Sequence, residues 1–427
     1  ASIQYALDLT SDNDTVQVAP GTYNEHIVWP QKSGITLRGE DKNTTIIDGE
    51  QSYRIFELGV DWDAGINTAG AYDLGEIYVD TNENGLWDSS SGYEEDYFNI
   101  YETQDNPSIE NFTLTKGYIS GGHGGAFYIY SISNLNLNNV DMILNNAFGS
   151  TSVGGAMYIH ASSVNILHST IADNNAGYSG AGTSSGGGAI YMPSSNVTLT
   201  RCLLYDNDIA NGAGTAIYLT RGTANPVLTL DHTTIAAHSG NAIYSQDYSP
   251  ATNTMTIKNS ILWDAAIYVY SVAGPTYYSY SNYSGSVMSG TGNISSDPHF
   301  KDPDNHMYTL EWPSRSINTA NPNPDESINN YESDPNDQDP DGTRMDMGVF
   351  PFDFTGLVFG CTDPLASNYV EDADYATDSF NCEYDYGPTI YVSKDGSDEN
   401  GNGTEGSPFA SIQYALDLTS DNDTVQV

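Results

Sequence analysis

The chain has 427 residues, of which 56 are Asp or Glu and only 12 are Lys or Arg, so its formal net charge is -44 at pH 7. This charge argues against nucleic acids and anionic membranes as partners, and it predicts that Ca²⁺ and a saline, extracellular setting offset the repulsion within the compact chain. Short ordered runs of Ile, Leu, Val and Tyr exclude a disordered chain, and no apolar run reaches the roughly 18 residues that span a bilayer.

Residues 1–18 and residues 410–427 have the same sequence, ASIQYALDLTSDNDTVQV. A match of this length at an offset of 409 residues indicates a tandem array whose period is a whole domain or two. We therefore expect a longer protein in which neither end of this chain is a natural terminus. An engineered overlap is the alternative, and it also requires a chain that continues past both ends.

The first predicted element is a helix in SIQYALDLT, with Ile3, Ala6 and Leu7 on one face. Such a helix would plug the open end of a β-helix and cover an exposed sheet edge. The first strands of that β-helix are TVQVAP, GITLRG, TIIDG and RIFEL. The second copy of the helix, within 410–427, is expected to meet no core of its own and to be stabilised only by a following unit.

Residues 59–107 interrupt the strands with an acidic insertion that contains DTNENGLWD. Its spacing is that of an EF-hand-like loop, with ligand positions 1, 3, 5, 7 and 9 filled by Asp80, Asn82, Asn84, the carbonyl of Leu86, and Asp88. Position 12 is Ser91 instead of Glu, and Glu94 or Glu95 would complete the coordination. This pattern predicts a Ca²⁺ site, with a solvated acidic loop as the alternative.

From residue 124 onward a short motif recurs, in the forms GGAFYIY, GGAMYIH, GGAIYMP, GTAIYLT, GNAIYSQ and AAIYVYS. Successive motifs are 30, 33, 27, 26 and 24 residues apart, measured at Ala126, Ala156, Ala189, Ala216, Ala242 and Ala266. Each motif is followed by a second strand-like run. The spacing is too short for a strand–helix–strand unit, so it predicts one turn of a parallel β-helix per motif, with the loops absorbing the length differences.

Alternation along these strands predicts which side chains face the core. The inward set is Phe127, Met157, Ile190, Ile217, Ile243 and Ile267, followed two positions later by Ile129, Ile159, Met192 and Leu219. The outward set is one row of tyrosines, namely Tyr128, Tyr158, Tyr191, Tyr218, Tyr244 and Tyr268. Such a row is suited to contact with another chain, to glycan binding, or only to stiffening the sheet. Cys202, within a column of small residues, is predicted to be a buried, inert thiol.

Two stretches resemble known families. The sequence from TIYVSKDGSDENGNGTEGSPF at residue 389 through the repeated segment to APGTYNEHI resembles the opening of secreted right-handed parallel β-helix domains of the pectate-lyase-like superfamily, and SDPHF and DPDGTRMDMGVF resemble their close. FGCTDPLASNYVEDADYATDSFNCEY resembles a Cys-bracketed repeat of very large surface proteins that gliding bacteria export by the type IX route. Its cysteines, Cys361 and Cys382, are spaced so that they are able to pair, and pairing implies an oxidising compartment.

The resemblances imply an all-β protein in three parts. Residues 1–352 form a right-handed parallel β-helix with an N-terminal cap helix and the acidic insertion, residues 353–387 form a small disulfide-bracketed linker, and residues 388–427 begin the next tandem β-helix.

A second acidic turn, DQDPDG, offers Asp337, Asp339 and Asp341 as further Ca²⁺ ligands, although Pro340 and the missing later ligands weaken that prediction.

The superfamily also contains polysaccharide lyases and hydrolases, so an enzyme is one alternative. Asp173 and Asp206 occupy equivalent turns of adjacent coils, which predicts a separation of roughly 5 Å, as in a retaining glycosidase. Asn174 and Asn207 beside them favour a purely structural turn. We expect no enzymatic activity.

The sequence thus predicts a structural repeat of a giant, secreted filament or adhesin at the cell surface, with Ca²⁺ as its cofactor. Its expected partners are adjacent repeats and identical chains in a fibre, and also surface glycans or other cells. A prey-capture fibre is one setting that the resemblance implies. The alternative is a polysaccharide lyase or hydrolase, or a glycan-binding module, on the same fold.

Overall fold

The structure is a computed structural model. It describes residues 2–59, 78–79, 97–98, 104–177, 185–222, 224–238, 240–246, 253–270, 276–324, 331–364, 366, 368–375, 382–383, 389–419 and 423–427. The chain divides into two compact units, Ala1–Phe352 and Asp353–Val427.

The first unit begins with the helix Ile3–Asp8. The Ser2 side chain caps it by accepting a hydrogen bond from the Tyr5 N–H at 3.2 Å. Ile3 and Leu7 are buried in the main core, so the helix covers the start of that core. Ala6, which the sequence places on the same face, is only half-buried and lies outside this core. The helix therefore presents a second small apolar face.

An eight-stranded parallel sheet contains the recurring motif. Its strands, in spatial order, are Ile27–Val28, Phe56–Leu58, Phe127–Tyr130, Met157–His160, Ile190–Pro193, Ile217–Thr220, Asn241–Gln246 and Ala266–Tyr270. Equivalent motif residues pair directly, as Tyr158 pairs with Tyr191 and Tyr191 with Tyr218. The loops between coils thus absorb most of the unequal spacing, and a bulge between Asn241 and Ile243 shifts the register against the last strand of this sheet.

A sixteen-stranded sheet forms the other walls of the coil, and its described pairings are parallel. It opens with Thr15–Val18, Gly21–Tyr23, Thr36–Gly39, Thr45–Asp48 and Ser108–Thr115. The long strand Leu135–Ile143 pairs with two later strands, and from there the sheet forks. One branch holds Ser163–Leu167, Asn196–Thr200, Val227–Asp231, Thr254–Lys258 and Thr276–Ser279; the other holds Thr170–Ala172, Leu203–Tyr205, Thr234–Ala236, Ile261–Trp263 and Asn282–Tyr283.

Smaller elements complete the first unit. A four-stranded parallel sheet consists of Tyr118–Ser120, Asn146–Phe148, Asn175–Ala176 and Asp208–Ile209. The remaining strand pairs are Ser185–Gly186 with Gly212–Ala213, Tyr78–Val79 with Tyr97–Phe98, and Phe300–Asp302 with Met307–Leu310; the 3-10 helices are Pro303–Asn305 and Pro335–Asp337. Most of the predicted acidic insertion lies outside the described residues.

The core confirms the predicted alternation. Nine of the ten residues predicted to face inward are fully buried, and Ile267 in the last coil is partly buried against the same core. Cys202 is also fully buried, and burial raises the pKa of its thiol to about 12, as expected for an inert cysteine. The fold is the predicted all-β parallel β-helix with its cap helix.

The turns between strands share a backbone conformation. One column of corner residues has φ between 45° and 63°, namely Asn111, Asn139, His168, Arg201, His232 and Asn259. A second column, Leu144, Asp173, Asp206, Ala237 and Asp264, has φ between 48° and 62°. Asn and Asp adopt this left-handed conformation more readily than most residues, which explains their frequency at these corners.

The second unit holds the disulfide Cys361–Cys382, as predicted. It also contains the strand Thr389–Tyr391, the helix Ile412–Asp417 and the strand Thr424–Gln426. The expectation that residues 410–427 meet no core is wrong. Ala415 of the helix is fully buried together with Ile390, Val392 and Phe409, because the preceding segment folds back onto the helix.

Candidate functional site

The six predicted tyrosines form one continuous outer stack, which we call the tyrosine row (Tyr128, Tyr158, Tyr191, Tyr218, Tyr244 and Tyr268). Successive ring centroids are 5.1, 5.9, 5.1, 5.0 and 5.3 Å apart, with interplanar angles of 8° to 27°. Parallel in-register strands impose this geometry, because each coil places the same motif position directly over the last.

The exposure of the row changes along its length. Tyr128 is only 3% exposed, because the Arg54 guanidinium lies 4.6 Å from its ring centroid. Arg54 is itself held by hydrogen bonds to the carbonyls of His123 and Gly124. The middle tyrosines are half-buried, and Tyr268 at the far end is 44% exposed. The prediction of an outward row is thus correct in direction, but one end of the row is covered.

Further aromatic groups widen the row near its covered end. The His123 ring stacks on Tyr158 at 4.8 Å, and the rings of Tyr130 and His160 stack on each other at 4.7 Å. Together they make a flat aromatic surface about two residues wide. Such surfaces are suited to contact with another chain or with the apolar face of a sugar.

A second row of like side chains lies inside the coil. This asparagine ladder consists of Asn145, Asn174 and Asn207, all almost completely buried. Asn145 donates from Nδ2 to Asn174 Oδ1 at 3.0 Å, and Asn174 donates from Nδ2 to Asn207 Oδ1 at 2.9 Å. His238 extends the ladder by one coil, with its Nε2 3.4 Å from Asn207 Nδ2. The sequence reasoning recognised two of these asparagines as turn residues and missed the histidine.

Asp173 and Asp206, the two carboxylates weighed for catalysis, lie at left-handed corners next to this ladder. Desolvation, followed by the nearby Asp206 carboxylate, raises the pKa of Asp173, while His306 lowers it. Asp206 Oδ2 is 3.3 Å from His306 Nδ1, and the His306 ring stacks on Tyr205 at 4.7 Å. The histidine comes from a turn about a hundred residues later in the chain, so the coil sequence did not indicate it.

A cavity of about 410 Å³ adjoins this cluster through Tyr308, whose ring centroid is 5.5 Å from that of Tyr205. Its other lining residues include Trp263, Asp264 and Asp297. The Tyr308 hydroxyl is buried and has no hydrogen-bond partner among the described residues. An aromatic wall with several carboxylates and one unused hydroxyl is able to hold a small polar ligand.

The second predicted Ca²⁺ turn contains Asp337, Asp339 and Asp341. Asp337 and Asp339 are buried, whereas Asp341 is half-buried and accepts hydrogen bonds from Thr343. The Asp339 carboxylate accepts a hydrogen bond from the backbone N–H of Asp346, whose own side chain is also buried. Burial raises the pKa of both carboxyl groups. Asp339 also lies 3.9 Å from Arg201. The protein's own donors therefore engage one carboxylate oxygen of Asp339 and one of Asp341.

No group of three or more His, Cys, Asp or Glu side chains is arranged to hold a metal ion within the described ranges. The residues of the first predicted Ca²⁺ loop lie outside those ranges, namely Asp80, Asn82, Asn84, Leu86, Asp88, Glu94 and Glu95. The strands Tyr78–Val79 and Tyr97–Phe98 that flank this loop pair antiparallel. Ca²⁺ binding at either acidic segment stays a prediction.

Comparison with known proteins gives one finding. A family model described as a right handed beta helix region matches residues 100–294. No curated protein and no solved structure matches the chain. The matched segment contains the tyrosine row, the asparagine ladder and both corner carboxylates. It supports the right-handed parallel β-helix and leaves the activity open, since this fold occurs in enzymes and in non-enzymes. None of the described helices is long and apolar enough to cross a membrane.

Proposed function

We propose that this chain is a structural repeat unit of a giant extracellular filament or adhesin. The observation that carries the proposal is the repeated segment, because residues 1–18 and 410–427 are identical and form the same helix, Ile3–Asp8 in one copy and Ile412–Asp417 in the other. A protein that repeats a whole β-helix gains length with each copy, and its parallel ladders and continuous core resist extension.

The surface of the coil supports the same function. A charge of -44 keeps chains soluble and apart unless cations bridge them, so Ca²⁺ at acidic loops is the cofactor that we propose for stiffening. The tyrosine row provides an aromatic strip along the coil for identical chains, for surface glycans or for other cells. Secretion by the type IX route to the surface of a gliding bacterium, with prey capture as one setting, completes the proposal.

Electron microscopy of native material tests this function. Long filaments with a regular axial repeat are expected, whereas monodisperse single particles would contradict the proposal.

Calcium binding is tested separately by calorimetry on an Asp80→Ala variant. Loss of binding is expected, with Asp8→Ala as a control that removes one carboxylate elsewhere. Unchanged binding in Asp80→Ala would remove the loop from the proposal.

A polysaccharide-active enzyme or glycan-binding module is the second candidate. The specific observation in its favour is the cluster of Asp173, Asp206 and His306 beside the cavity lined by Trp263 and Tyr308. The left-handed backbone at both carboxylates supplies a structural reason for them, so we place this function second. Cleavage of acidic or neutral polysaccharides that is lost in Asp206→Asn would favour the enzyme. Binding without cleavage, weakened by Trp263→Ala, would favour the module.

A further inference from the structure

The two identical copies of the repeated segment bury different faces of the same helix. In the first copy, Ile3 is 3% exposed and Leu7 is fully buried, whereas their equivalents Ile412 and Leu416 are each 49% exposed in the second copy. Since the sequence is the same, the difference reflects only what packs against each copy.

The face that contains Tyr5 and Ala6 shows the reverse pattern. Tyr5 in the first copy is 67% exposed, and its equivalent Tyr414 in the second copy is 39% exposed. Ala6 is half-buried, whereas Ala415 is fully buried. Tyr414 is partly covered by Phe409, whose ring centroid lies 5.0 Å away in an edge-to-face contact. The first copy therefore presents the face that Phe409, Ile390 and Val392 cover in the second copy.

The strand that follows each helix also has a different partner in the two copies. Thr15–Val18 pairs in parallel with Thr36–Gly39 in the first unit. Its equivalent, Thr424–Gln426, pairs in parallel with Thr389–Tyr391, and the N–H of Val392 donates to the carbonyl of Gln426 at 2.8 Å. The offset of 409 residues maps these partners onto Thr15, Val16 and Gln17.

The hydrogen bonds at the helix N-terminus are also complementary. In the first copy the N–H groups of Ile3 and Gln4 donate to the Glu25 carboxylate at 2.9 and 3.0 Å. In the second copy the N–H groups of Ala410 and Ser411, which stand two residues earlier in the repeated segment, donate to Asp398 at 2.7 and 2.8 Å. The two sets of contacts use different donors, so one helix is able to make both.

We infer that the Tyr5, Ala6 and Leu9 face of the first helix, together with the outer edge of the strand Thr15–Val18, is a docking surface for the sequence of residues 389–409 from a neighbouring copy of this repeat. The docked segment adds one parallel strand, with Ile390 beside Val16, and closes a second apolar layer over the helix. This inference rests on the proposed function only for the source of the segment, which is the repeat that precedes each helix in the array.

An extended chain tests the docking surface directly. Residues 389–409 are placed immediately before Ala1, which reproduces the junction of residues 409 and 410 because residue 1 and residue 410 begin the same sequence. Hydrogen–deuterium exchange is then followed by mass spectrometry in peptides that cover residues 5–9 and 15–18 and extend past residue 18, where the first copy is followed by Ala19 and differs from the second. Exchange in these peptides should slow by about tenfold or more relative to the original chain, because the added strand protects the edge.

Two controls separate docking from a non-specific effect of added length. An extension that carries Ile390→Asp and Phe409→Asp should give no protection, since it places carboxylates in the apolar layer. Asp8→Ala in the docking-competent extended chain should keep the protection, because Asp8 pairs with Gln4 at the same 2.8 Å distance as Asp417 does with Gln413 and lies on neither buried face.

Unchanged exchange in both peptides, or equal protection by the doubly substituted extension, would overturn the inference. Neither result bears on micrographs of native material, so the docking surface and the filament are falsified separately. Protection of the extended chain together with single particles in the micrographs would retain the docking surface and remove the filament.

Discussion

The coil carries two rows of like side chains, the asparagine ladder inside and the tyrosine row outside, and they contribute to the molecule in different ways. Both arise because parallel coils repeat one position per turn. The members of the inner row exchange hydrogen bonds in a buried core, so each one satisfies polar groups of its neighbours. The outer row makes ring contacts at the surface. Loss of an inner member leaves buried polar groups unpaired, whereas loss of an outer member removes ring contacts at the surface.

The largest effect is expected from Asn174→Ala. This change removes the acceptor for the N–H and Nδ2 of Asn145 and the donor to the Met142 carbonyl, all of them buried. Each unsatisfied buried group costs about 1–3 kcal/mol, so we expect the free energy of unfolding to fall by about 4 kcal/mol. Urea unfolding followed by circular dichroism measures it. Asn165→Ala is the matched control, because Asn165 makes a similar bond to Asn136 on the outer surface. Equal losses in the two variants would contradict the distinction.

The next effect is a dependence on pH at the end of the inner ladder. Burial lowers the pKa of His238 from 6.5 to about 4. Between these values the unfolded chain binds a proton that the folded chain does not, so stability falls as the pH falls from 6.5 to 4, by about 1.4 kcal/mol per pH unit for this one group. A His238→Asn variant should lose that share of the slope in urea titrations across this range. If the free energy of unfolding of the variant changed with pH as steeply as that of the original chain, the prediction that burial lowers the pKa of His238 would be wrong.

A smaller effect is expected in the middle of the outer row. Tyr191 contacts Tyr158 and Tyr218, with centroid distances of 5.9 and 5.1 Å. Tyr191→Ala removes both ring contacts, so the free energy of unfolding should fall by about 2 kcal/mol. Urea unfolding gives the value, and Tyr191→Phe, which keeps both ring contacts, should lose less stability than Tyr191→Ala. A loss as large as that in Asn174→Ala would place the tyrosine row among the features that determine the fold.

The smallest effect is expected at the exposed end of that row. Tyr268 has one neighbour in the row, Tyr244 at 5.3 Å, and is 44% exposed. Tyr268→Ala should lower the free energy of unfolding by about 0.5–1 kcal/mol. If the row joins chains in a filament, the same variant should reduce assembly, as measured by light scattering, more than it reduces stability. A loss of stability equal to that in Tyr191→Ala would contradict the expectation that a more exposed tyrosine of the row contributes less to stability.

Much of this fold was predictable from the sequence. The recurring motif places Phe127 and its equivalents inside and Tyr128 and its equivalents in one row, because a strand alternates its side chains and a coil repeats them. The disulfide followed from two cysteines in one short segment. The partners of the asparagines were less visible, because a turn residue and a buried ladder residue look alike in a single sequence.

The sequence by itself determined the period, the inward and outward positions, and the repetition of one segment at both ends. Only the tertiary structure decided which residues meet from distant parts of the chain, such as Arg54 over Tyr128 and His306 beside Asp206. It also decided that one helix uses two different faces in its two copies. The physical reason is that alternation is fixed locally by the pleat of the strand, whereas these contacts depend on how returning segments pack against the finished coil.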